Sequence, residues 1–250
     1  QAAGPYFGGY LTDHFNIRMP FYVMALLSFL ALILILFLVP ESSAVKKDNK
    51  KVEPIFKSLL PVFKDKPMIG IMTYMSSRGF YRWGFNTFFP ILAVKTISMS
   101  ATNIGLILTA YMISGSIIQY PFGLAVDRFP KQKLNLILIG GSVSAIAMSI
   151  FTYFNSLLMY ALLTIIMGVF SSISRASAVA IRTERGRIHG MGAATGAFTS
   201  SLSFGQVLGP IVFGIIADIL NLPAAFIIGG VIGLIGTVVS YVFFKVDTDY

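Results

Sequence analysis

The stretch from Ser76 to Asn86, SSRGFYRWGFN, sets Arg78 and Arg82 four positions apart inside a long apolar run. At that spacing two side chains share one helix face. A guanidinium presents a planar fork of donors that matches a carboxylate or a phosphate. Tyr74, Ser77, Tyr81 and Asn86 fall in the same half of the helical wheel, whereas Trp83 and Thr87 point away. An arginine at the centre of a bilayer costs about 2.5–3.5 kcal/mol on insertion scales, so it must face a cavity or a partner. Among the acids, Asp218 stands near one span end and Glu41, Asp127 and Glu184 near the other, none within reach of the pair. Three readings stay open: an acid outside this sequence answers the pair, an anionic group of a ligand does, or the pair sits at the membrane rim. The last would leave only 68–77 as the apolar run, too short to cross. Arg78, Arg82, Tyr74, Tyr81 and Asn86 are thus the candidate ligand-binding residues.

The elements that must carry these residues are membrane helices. Of the 250 residues 56% are hydrophobic and only 12% charged, with a mean hydropathy of +0.79. A soluble domain carries about 25% charged residues. The apolar residues come in bilayer-length blocks: a segment ending near Leu11, then about 20–40, 68–93, 102–125, 134–153, 157–180, 191–219 and 223–244. Inside lipid the backbone must satisfy itself, and no block shows the alternation of a barrel strand, so these are helices. Lys and Arg then set the topology. Of 19, 14 fall in the connector 41–66, in the loops near 128–133 and 182–187, and after the last span; Arg18 and Lys95 occupy the alternate loops. Arg78, Arg82 and Arg175 lie within spans. The bias assigns the connector 41–66 and the C-terminus to the cytoplasm, and it explains the +9 net charge without nucleic acid.

An offset of 205 residues, without a gap, aligns Gly4 with Gly209, Pro5 with Pro210, Gly9 with Gly214, Asp13 with Asp218, Asn16 with Asn221 and Phe21 with Phe226. Six spans fit inside the offset, which describes a parallel repeat of six-helix halves. The chain divides into 1–40, the end of a first half; 41–66, a connector; and 67–250, a complete second half. It reads as a fragment without about 140 N-terminal residues, holding roughly 7.5 of 12 helices of such a repeat.

Two parallel six-helix halves joined by a basic connector resemble the major facilitator superfamily. The segment Gly123-Leu-Ala-Val-Asp127-Arg128-Phe-Pro130-Lys131-Gln-Lys133 is similar to the family's loop signature G-x-x-x-D-R-x-G-R-R/K, with Pro130 in place of glycine and Lys131 in place of arginine. The resemblance implies a cytoplasmic gate built from Gly123, Asp127, Arg128 and Lys131. Gly4-Pro5-Tyr-Phe-Gly8-Gly9 resembles the end of G-x-x-x-G-P-x-x-G-G, a motif of the drug:proton antiporter branch. On this resemblance the fold is an all-α membrane protein of the superfamily, multi-pass in the cell membrane. Its function would be alternating-access transport of a small molecule, most simply proton-coupled export of drugs or metabolites. The alternative is a symporter or facilitator of organic anions that uses Arg78 and Arg82. The partners implied are the lipid bilayer, the substrate, a coupling proton and the remaining half of the chain.

Other features carry less. The chain has no cysteine and no His/Asp cluster, so nothing calls for a metal, a cofactor or an embedded enzyme. A P-loop is absent. Gly190-Met-Gly192-Ala-Ala-Thr-Gly196 lacks the strand that a nucleotide loop requires and reads as close helix packing. Arg175 reads as snorkelling about a turn from its span end, though on the family resemblance its helix, the tenth, also borders the central cavity. His14 and His189 read as isolated loop residues. Gln119, Gln206 and Thr199-Ser200-Ser201 are possible polar lining, and helix–helix hydrogen bonding explains them equally well. Ile55, Phe56, Leu59, Leu60 and Phe63 recur at helical spacing and predict a short helix at the membrane surface.

Overall fold

A computed structural model describes residues 3–38, 55–128 and 132–245. Among them every element is helical: α1 (Gly4–His14), α2 (Met19–Leu38), α3 (Ile55–Lys64), α4 (Lys66–Ile97), α5 (Ala101–Arg128), α6 (Lys133–Ile150), α7 (Leu157–His189), α8 (Met191–Ile219) and α9 (Leu222–Lys245). A 3₁₀ turn, Phe151–Tyr153, follows α6. By length and composition α2, α5, α6, α7, α8 and α9 can cross a membrane. The more polar α4, which bears the arginine pair, is 32 residues long.

Local chemistry sets the breaks. Ser98 takes the left-handed region (φ 48°) to end α4, and Ser156 caps α7 by accepting the Met159 N–H at 3.3 Å. Gly190, at φ 94°, is the single residue between α7 and α8. That conformation suits a residue without Cβ. The aligned residues Asn16 and Asn221 act alike: Asn16 Oδ1 accepts the Arg18 and Met19 N–H groups at the start of α2, and Asn221 Oδ1 accepts the Ala224 N–H at the start of α9.

In the bundle α4 packs on α8 and α9, α7 on α5 and α6, and α6 on α9. Close approach rests on small residues. A Cβ at Gly205 would overlap the Ser76 carbonyl of α4, and one at Gly168 the Tyr111 carbonyl of α5. Small residues of this kind let membrane helices touch backbone to backbone. The core has two parts. Around Phe85, Phe89, Phe151, Tyr160, Phe213 and Phe226 lies an aromatic cluster. Toward the other end Met68, Ile71, Met75, Ile137, Ile181 and Phe244 form an aliphatic one. No residue of α2 is buried.

The helices extend the sequence expectation in two places. α7 runs nine residues past the expected end at 180, so Arg182, Arg185 and Arg187 are helical rather than in a loop. The polar extension is anchored by Glu184, paired with Lys133, and by His189 and Arg185, both on Asp65. His189 is therefore not isolated, and His14 ends α1 stacked on Tyr10. The helix foreseen in the connector is present as α3, and it packs on α4 and α8 through the buried Val62, with Leu60 and Phe63 exposed. A Cβ on Gly192 or Gly196 would meet nothing within 4 Å among the described residues.

Candidate functional site

The two arginines lie at the middle of α4, with its centre between Tyr81 and Arg82. They line a cavity of about 160 Å³ with Tyr111, Ser116 and Gln119 of α5 and Ser172 and Arg175 of α7. Gly115 of α5 and Gly168 of α7 complete the wall and allow the two helices to approach.

Arg78 is 3% exposed. Its Nε donates to Ser171 Oγ at 3.1 Å, and its Nη1 has no hydrogen-bond partner. The Arg82 guanidinium lies 5.5 Å from the centroid of the Tyr111 ring, and its Nε is likewise buried and unpartnered. Among the described residues no carboxylate lines the cavity. A buried donor without a partner costs about 1–3 kcal/mol, and more when it is charged. Each arginine keeps an unused donor among the described residues.

Of the other residues expected beside the pair, Tyr74 and Tyr81 lie close to Arg78 but outside the cavity lining. Tyr74 and Tyr81 are fully buried and turn toward neighbouring helices. The Tyr74 hydroxyl bonds Ser174 of α7, and the Tyr81 hydroxyl donates to Ser144 of α6 at 3.3 Å. Asn86 is half-buried and lies outside the cavity lining. Trp83 and Thr87 point away and are exposed.

Arg175 takes the second of its two expected places, in the cavity wall. Because α7 continues to His189, it stands well inside the helix and shares the arginine cavity instead of snorkelling from a terminus. Tyr111 was not singled out at all. The signal was present: Tyr111, Gly115 and Gln119 recur every four residues, as a stripe on one face of α5.

Gly123 lines a second cavity of about 600 Å³ with Lys133, Glu184 and Arg187. Gln119 borders both cavities. Arg128 is exposed at the end of α5. The Asp127 side chain and Lys131 lie outside the described residues.

In the glycine motif near the start, a Cβ on Gly9 would overlap the Ala101 carbonyl, while Gly4 and Gly8 face open space. Pro5 lies against Gly105, and the Tyr6 N–H donates to Thr109 Oγ1 at 3.2 Å. Asp13 accepts the N–H groups of Ala101 and Thr102 at 3.2 and 2.7 Å and the Thr102 hydroxyl at 2.6 Å, capping α5. Of the other polar candidates, Ser201 donates within α8 to Ala197 and presents its carbonyl to Ser76 of α4, so it serves helix packing.

The family model described as Major Facilitator Superfamily matches residues 1–100 and 71–250. The chain belongs to the major facilitator superfamily. It is 26% identical over 247 residues to an uncharacterized MFS-type transporter of Methanocaldococcus jannaschii, covering 95% of this chain and 61% of that protein. It is 23% identical over 257 residues to multidrug resistance protein 2 of Bacillus subtilis, covering 98% of this chain and 62% of that protein. The chain thus spans about three-fifths of the length of these curated relatives. Its membership and its apolar helices make it a multi-pass membrane protein.

Proposed function

We propose that this chain is the larger part of a secondary active transporter that works by alternating access and binds an anionic group of its substrate. The observation that carries the reading is the cavity walled by arginines, with buried unpartnered donors and, among the described residues, no carboxylate in its lining. An uncompensated arginine at midspan is costly, and such residues mark substrate or ion pathways. In this reading residues 1–40 belong to a first half, 41–66 form a cytoplasmic connector and 67–250 form the second half. Gly123, Asp127, Arg128 and Lys131 would gate the cytoplasmic side, with the C-terminus on that side and the whole in the cell membrane.

The test is transport by the full-length protein in proteoliposomes, with a panel of labelled organic anions. Arg78→Ala and Arg82→Ala should each abolish uptake while protein levels stay normal. Unchanged transport by both variants would sink the anion site.

A second reading, proton-coupled efflux of drugs, is favoured by two observations: the relative named multidrug resistance protein 2 and the Gly4-Pro5-Tyr-Phe-Gly8-Gly9 motif. It requires a membrane acid to carry the coupling proton and to answer the arginines. Ethidium efflux driven by an imposed pH gradient, in place of anion uptake, would select it.

A further inference from the structure

The cavity holds one more guanidinium than the proposed anion site needs. Arg78 and Arg82 come from α4, and Arg175 comes from α7 across the same space. Three guanidinium groups around one small volume repel one another in a medium where charge is poorly screened. A single negative charge would leave an excess of two. The remaining lining adds hydroxyls and an amide, from Tyr111, Ser116, Ser172 and Gln119, and, among the described residues, no negative group.

Resting on the anion reading above, we propose that Arg175 completes a three-arginine site selective for a doubly charged anion, such as a phosphate group or a dicarboxylate. The geometry argues for two walls acting together. Arg78 is fixed by Ser171 and keeps Nη1 free, and Arg82 is held over the Tyr111 ring with Nε free. These two grip one side of a ligand from α4. Arg175 approaches from α7 and meets the second charge or the far oxygens. A monoanion engages one wall only. A dianion bridges both and draws α4 and α7 together.

The experiment measures binding to the purified full-length protein at constant ionic strength, by ligand-dependent thermal shift. The probes, at a pH above the second ionisation of phosphate, are inorganic phosphate and succinate as dianions and acetate as the monoanion. The expected result is that both dianions bind at least about tenfold more tightly than acetate, the worth of one added charge-assisted hydrogen bond. Arg175→Gln should weaken phosphate and succinate by roughly tenfold more than it weakens acetate. Arg175→Lys, which keeps the charge, should restore part of the preference and shows that a fold defect is not the cause. Phosphate binding without succinate binding, or the reverse, would still support the site and would name its anion. Equal affinity for all three probes, or equal weakening of all three by Arg175→Gln, would overturn this inference and leave the Arg78/Arg82 site standing. Failure of every anion to bind the unaltered protein would overturn both.

Discussion

At one end of the bundle Phe151 stacks on Tyr160 with ring centroids 4.7 Å apart and stands edge-on to Phe85 and Phe89 at 5.2 and 5.4 Å. At the other end Asp65 meets His189 Nε2 at 2.6 Å and Arg185 at 3.6 Å, while Lys133 pairs with Glu184. Both ends join several helices, yet they do so by different forces. The aromatic end excludes water and gains from area, so it is strong and hard to take apart in small steps. The ionic end depends on a few directed contacts beside a cavity, and each can be exchanged for water or for another charge. A bundle built this way yields first at its polar end.

The comparison can be broken most sharply at Phe151. It is fully buried, and Phe151→Ala should cost about 3–5 kcal/mol through lost contacts and a cavity. Thermal denaturation in detergent should show the largest fall in midpoint of the series. A small fall would mean that the rings do not hold that end. Asp65→Asn comes next, because the Asp65 side chain is only 5% exposed and serves two partners. Loss of a charge-assisted contact there should cost about 1.5–3 kcal/mol. Proteolysis near the α7–α8 turn should rise in step, and an unchanged cleavage rate would argue against a clamp. Glu184→Gln should have the smallest effect, below about 1 kcal/mol, since the glutamate is 41% exposed. A larger loss would place the Lys133–Glu184 pair in drier surroundings than the structure shows.

The sequence was most legible where the bilayer dictates it. Apolar runs of the required length located the spans, and their counterparts in α2, α6, α8 and α9 begin and end within a few residues of expectation. It was least legible where polar residues continue a helix. Counting hydropathy stopped α7 at 180, because the pairs on Asp65 and Lys133 that anchor the rest join residues far apart in sequence. That error set Arg175 near a helix end. The cavity was half readable: spacing put Arg78 and Arg82 on one face, but the wheel could not tell that face from the adjoining one. Tyr74 and Tyr81 therefore looked like cavity residues, though they meet serines of α7 and α6. Which neighbouring helix lies beside each sector is a tertiary fact, and single-helix periodicity contains no record of it.

Gly190 joins α7 and α8 with nothing to spare. Two Cα steps reach about 7 Å at most, so the helix ends cannot part there. The pair behaves as a clothes peg, pinned at one end, with arms of 33 and 29 residues. At 1.5 Å per residue the shorter arm is about 43 Å long, and a turn of roughly 5° at the pin would spread the tips by about 4 Å. Near those tips stand Tyr160 on α7 and Phe213 on α8, both in the aromatic cluster. The two tips are tied through a chain of rings, Tyr160 to Phe151 to Phe226 to Phe213.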